Sequence, residues 1–62
     1  MTAIELLIQQ IDEKVQQLKD HMTTGAVDDF HEYKRLCGEV RGLLLARGYT
    51  LDLKQRMESS DD

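Results

Sequence analysis

Met1, Ile4, Ile8, Ile11, Val15, Leu18 and Met22 succeed one another at alternating steps of three and four, an unbroken heptad seam along the first third of the chain. An apolar stripe this narrow is kept from water only by knobs-into-holes packing against another helix. Gly25 interrupts the pattern, and a second amphipathic run of nearly equal length occupies 28–47. The spacing therefore predicts an all-α fold, two matched helices forming an antiparallel hairpin, with a short third segment over 51–57. The same seam predicts self-association into a helical bundle.

Local signals place the ends of these elements. Thr2 and Glu5 have the spacing of a capping box, so helix one should begin at about residue 3 and run to about 23. Glu5, Gln9, Gln10, Glu13, Lys14, Gln16, Gln17 and Lys19 fill the positions between seam residues with helix formers or tolerant polar groups. Leu7 widens the stripe at one end. Leu6 falls outside it and is either solvent-exposed or part of a second contact. In the connection 23–27, Thr23 and Thr24 disfavour helix and Gly25 suits a left-handed terminator, with Ala26 and Val27 placed to staple onto the second helix. Asp28 reads as the N-cap of helix two, with Asp29 and Glu32 in its first turn, where acids favour the helix dipole. The expected inward partners of Ile8, Ile11, Val15 and Leu18 are Tyr33, Cys37, Val40 and Leu44. Gly48 behind Arg47 reads as the end of helix two, and Thr50 as the cap of the third segment. One domain is thus expected over 1–57, with a disordered acidic tail over 58–62.

Size makes the hairpin's outer surface an issue. A chain of 62 residues buries only about 60% of its unfolded surface, and small domains compensate with disulfides, metals or oligomerisation. Cys37 is the only cysteine, so no disulfide can form within one chain, and its neighbours Leu36, Val40 and Leu44 mark it as a small apolar filler. An unpaired thiol fits a reducing, cytoplasmic setting. Twelve acids against eight bases give a net charge of −4, which opposes a nonspecific grip on phosphates. No apolar run reaches the roughly 20 residues that span a bilayer, and the first residues lack a signal-peptide pattern.

Chemistry is hard to find in the chain. It has no phosphate-binding glycine loop, no C-x-x-C and no H-E-x-x-H. The nearest approach to a metal set is Asp28, Asp29, His31 and Glu32 at the hinge, with Asp20 and His21 across the turn. Two histidines beside a loop are ordinarily surface residues. Cys37 has no third group to orient a base beside His21 or His31. No catalytic, cofactor-binding or metal-binding residue is assigned, and the chain is not expected to be an enzyme. Two glycines inside helix two are the least ordinary feature. Gly38 and Gly42 each cost about 1 kcal/mol relative to alanine. Their spacing forms a flat groove that either marks a close helix crossing, within the hairpin or between subunits, or is tolerated at an exposed turn.

Asp28-Asp29-Phe30, Glu32-Tyr33, the basic pair Lys34-Arg35 and the ending Gly38-x-x-x-Gly42-Leu43 together resemble a pattern found in small helical proteins of tailed bacteriophages. The resemblance spans about half of the chain. It implies a phage-encoded accessory protein from the region that encodes head and neck components, and carries no assigned function for any residue. The equal helices and the acidic tail are also similar, in architecture alone, to the plasmid copy-control Rop family of hairpin dimers.

The leading functional expectation is a non-enzymatic protein–protein interaction module serving virion assembly, with a homodimer or a larger protein as partner. Its contact residues are expected among Leu6, Leu7, Leu36, Gly38, Gly42, Leu43, Tyr49, Leu53 and Met57. The first alternative is a small regulator that binds and inhibits a host protein through Leu6 and the segment 49–57. The second is RNA binding in the Rop manner, which would need Lys14, Lys34, Arg35 and Arg41 on one face. Neither membrane nor cofactor is expected, and the location is the host cytoplasm or the virion.

Overall fold

The computed structural model describes residues 1–24 and 29–59. They form an all-α hairpin of two helices, α1 (Ala3–Thr23) and α2 (Phe30–Ser59), laid side by side in a rod of 52 × 19 × 12 Å. At about 1.5 Å per residue, α2 alone runs some 45 Å and is markedly longer than α1.

Helix α1 begins as its sequence dictates. Thr2 is extended, and its hydroxyl accepts the Glu5 backbone N–H at 3.1 Å, while its carbonyl accepts the Leu6 N–H at 3.0 Å. At the far end Thr23 and Thr24 do more than disfavour continuation. Their hydroxyls donate to the carbonyls of Asp20 and His21, at 3.2 and 3.1 Å, and the Thr24 N–H also reaches Asp20 O. Carbonyls left open by the last turn are thereby satisfied. The expected roles of Gly25, Ala26, Val27 and Asp28 lie outside the described residues. Asp29 supplies a cap to α2: its carboxylate accepts the His31 N–H at 3.0 Å and its carbonyl accepts the Tyr33 N–H at 2.9 Å.

Helix α2 departs from expectation at Gly48. The helix neither ends there nor restarts at Thr50, and no separate third helix exists among the described residues. Glu58 and Ser59, expected in the tail, belong to the last turn of α2, and the remainder of the tail lies outside the described residues. A mid-helix glycine costs only about 1 kcal/mol, whereas stopping would forfeit the packing of the last three turns against the start of α1. Those turns also carry their own support. Thr50 Oγ1 donates to Ala46 O at 2.7 Å, and the pairs Asp52–Arg56 (3.0 Å) and Lys54–Glu58 (3.8 Å) span one turn each.

The core is thin. Among the described residues only Ile11, Val15, Leu18 and Leu36 are buried hydrophobics, the last with 2% of its surface exposed. Ile4, Ile8 and Met22 complete the α1 seam half-buried, while Met1 is exposed. On α2 the face turned to α1 is Leu36, Val40, Leu43, Arg47, Thr50 and Lys54, all buried or half-buried and again spaced by fours and threes. This corrects the expected face. Tyr33 and Leu44, assigned to the seam, are 46% and 47% exposed, and Leu36 and Leu43, assigned to the outside, lie within. At 100° per residue the helix is turned by roughly a sixth of a turn from the expected orientation. The aliphatic side chains bury with no polar group to satisfy, and in this frame Arg47 reaches Asp12 across the hairpin.

Candidate interaction surface

The inner stripe of α2 is only half apolar, and its polar half is organised by one ion pair. Arg47 Nε donates to Asp12 Oδ1 at 2.6 Å, with Nη2 at 3.5 Å from Oδ2. Both side chains remain partly solvated, so the pair fixes the register of α1 against α2 more than it adds stability. The sequence alone assigns Arg47 to a helix terminus. The signal that places it correctly is arithmetic, since 47 continues the series 36, 40, 43.

A second apolar stripe lies beside the first and faces solvent. Phe30, Tyr33, Cys37, Leu44 and Leu51 repeat in the same heptad rhythm, sharing Val40 and Arg47 with the inner stripe as its intermediate steps. Phe30 is 69% exposed, and Leu44 and Leu51 are exposed as well. Along this stripe the Lys34 ammonium sits 5.5 Å from the centre of the Phe30 ring. The Cys37 side chain one turn along, together with slight desolvation, pushes the Tyr33 phenol above its ordinary value. The apolar residues of α1 gather on one side, while those of α2 are spread around the helix. One partner helix cannot cover such a distribution.

The expected contact residues divide accordingly. Leu36 is consumed by the hairpin and Leu43 is half-buried against it, so neither is free to meet a partner. Leu6, Leu7, Tyr49, Leu53 and Met57 are all exposed, Tyr49 most of all at 72%. Near the free ends of the helices a cleft of about 310 Å³ is lined by Thr2, Ala3, Ile4, Glu5, Lys54, Met57 and Glu58. Gly38 and Gly42 do not mark a crossing inside the hairpin: a Cβ added at either would meet no neighbouring atom within 4 Å. The surface residues missed by sequence reasoning are Phe30, Tyr33 and Leu44, which it turns inward or leaves without a contact role; Leu51 falls within the segment 49–57 that it offers to a partner.

Charges on α2 are largely self-paired. Arg35 donates to Glu32 at 2.7 and 3.0 Å and reaches Glu39 at 3.4 Å. The hydrogen bond from Arg35 holds the Glu32 carboxyl below its ordinary value, with the charges of Arg35 and His21 acting in the same direction against slight desolvation. At the hinge, His31 lies tilted against the Phe30 ring at 6.4 Å. Among the described residues no three His, Cys, Asp or Glu side chains gather as metal ligands would, and no helix is long and apolar enough to cross a membrane. Comparison with protein families, with curated proteins and with solved structures found no match to this chain.

Proposed function

We propose that the chain is a non-enzymatic interaction module, a helical hairpin that completes its core by associating with a second protein surface, foremost another copy of itself. The observation that carries this reading is the imbalance between inside and outside. Among the described residues, four hydrophobic side chains are buried while eleven large ones are exposed. Apolar residues scattered singly over a surface are ordinary, but a heptad-spaced row of them along one helix is the pattern of a packing face. Folding of so short a chain gains from any contact that removes this row from water.

The biological setting we propose, an accessory role in phage virion assembly within the host cytoplasm or the particle, rests on the resemblance of the 28–43 segment alone. The RNA-binding alternative is weakened by the engagement of Arg35 with two carboxylates, which removes one of the four cations it requires. Sedimentation equilibrium across micromolar concentrations tests the association, and mass spectrometry of purified particles tests the setting. A monomer whose melting temperature is unchanged over a wide dilution would refute self-association, since a folded oligomer gains stability with concentration.

A further inference from the structure

We infer that the second copy docks on the solvent-facing stripe of α2, stripe to stripe and antiparallel, so that Tyr33 of each copy meets Leu51 of the other and Val40 meets Leu44. This rests on the self-association proposed above and adds the face, the direction and the register.

Area is the first argument for a copy of this chain as occupant. The chain exposes 4916 Å², whereas a compact monomer of 7.2 kDa exposes about 4,100 Å² by the scaling of surface with mass. The excess of roughly 800 Å² follows from the elongation of the rod, and its size is about what each partner contributes to a standard stable interface. From Phe30 to Leu51 the stripe runs about 30 Å, long enough for three turns of heptad packing.

Self-complementarity fixes the direction. The stripe has aromatics at its N-terminal end (Phe30, Tyr33), a small residue at Cys37, and leucines at Leu44 and Leu51. A parallel pair would stack aromatic on aromatic and place Arg47 against Arg47. The antiparallel pair sets the wide end of each copy against the aliphatic end of the other and opposes the helix dipoles. Charge agrees with this arrangement. Lys34 and Asp52 lie about five helical turns apart and therefore on the same edge of the stripe. Antiparallel pairing brings Lys34 of each copy toward Asp52 of the other, a carboxylate it would share with Arg56, at both ends of the contact. Arg41, on that edge near the middle, then approaches its own counterpart across the two-fold axis, a like-charge contact that weakens the pair.

These positions give the test, and each change is at an exposed residue that the hairpin does not need. Leu44→Glu should weaken dimerisation on the order of a hundredfold in sedimentation equilibrium, by placing two charges at the centre of the contact. Leu53→Glu, off the stripe, should leave it unchanged, and Arg41→Gln should strengthen it. Direction is read by mild oxidation of the sole native thiol with diamide. In the antiparallel register the two Cys37 sulfurs are about 15 Å apart along the axis and should stay reduced. In Gly48→Cys the introduced thiol faces Cys37 of the other copy and should link the dimer covalently. A dimer that survives Leu44→Glu but dissociates in Leu53→Glu would overturn the face while leaving self-association intact. Faster linking of the parent chain than of Gly48→Cys would overturn the direction. A parent chain monomeric throughout would remove both this inference and the reading beneath it.

Discussion

Replacing Gly38 or Gly42 by alanine separates the two roles a G-x-x-x-G pair can have in a helix of this kind. Both lie in the interior of α2, far from either end, and a Cβ at either position would project into open space. With no clash to offset it, each substitution should gain the helix-propensity difference, about 1 kcal/mol. Part of that gain comes from the lower entropy of the unfolded chain. For a domain of this size 1 kcal/mol corresponds to about 4–8 °C in melting temperature, so thermal unfolding monitored by far-ultraviolet circular dichroism resolves each variant. The melts should be run on dilute and on concentrated protein. On dilute protein both variants should melt several degrees above the parent. If Gly38 and Gly42 were a close crossing between subunits, the gain would vanish or reverse in the concentrated sample, because the added methyl would hold the partner backbone away. The proposed docking stripe does not include them, so the same gain is expected at both concentrations. A fall in melting temperature for either variant on dilute protein would refute the reasoning, since it would reveal an intramolecular neighbour where the hairpin has none.

Four further outcomes are expected. Ile11→Asp places an unpaired charge among the few buried side chains and should cost several kcal/mol, enough to abolish the cooperative melt of so small a domain. Gly48→Pro should cost about 3 kcal/mol and lower helicity, because the helix runs through that position; a variant as stable as its parent would mean that α2 ends there. A double-mutant cycle on Asp12→Ala and Arg47→Ala should return a coupling of about 0.2–1 kcal/mol that shrinks in high salt, as befits a pair whose members are both partly solvated. Glu32, whose pKa is lowered in the folded chain, contributes stability that is fully present above the ordinary carboxylate pKa and is lost as pH falls through the lowered value; Glu32→Gln should therefore melt below the parent at neutral pH and converge with it in strong acid.

Helix α1 is legible from its residues because every level of its sequence points the same way. Thr2 and Glu5 fix its start, one seam fixes its face, and the paired threonines close it, so expectation and structure agree to within a residue. Helix α2 is legible only as a helix. Its orientation is not, because Tyr33, Cys37 and Leu44 make as regular a heptad as Leu36, Val40 and Leu43, and periodicity alone cannot rank two frames that share Val40 and Arg47. What ranks them is where α1 lies against α2, with Arg47 aimed at Asp12 and Leu36 rather than Tyr33 turned inward, and that is not visible until both helices are placed. Gly48 misleads for a related reason. Its propensity to terminate a helix is a local quantity of about 1 kcal/mol, and beyond it the half-buried Thr50 and Lys54, the Thr50–Ala46 hydrogen bond and the pairs Asp52–Arg56 and Lys54–Glu58 support continued helix.

The two stripes of α2 also explain why the hairpin's interior is so lean. The inner stripe changes character halfway along, from Leu36, Val40 and Leu43 to Arg47, Thr50 and Lys54, while the outer one, apart from the shared Arg47, stays apolar as far as Leu51. A chain folding only for itself would gain more by turning the outer frame inward, placing Leu51 toward the start of α1 where Thr50 now sits. The observed distribution instead gives α1 a partly polar, register-fixing seam and reserves a longer apolar row for the outside. In a monomer that row has no compensating role. In a complex it supplies the burial that the lean interior lacks, so that folding and association draw on the same side chains. Changing Leu44 or Leu51 should then lower the melting temperature only at concentrations where the chain associates, whereas shortening Ile11 or Val15 to a smaller aliphatic residue should lower it at every concentration.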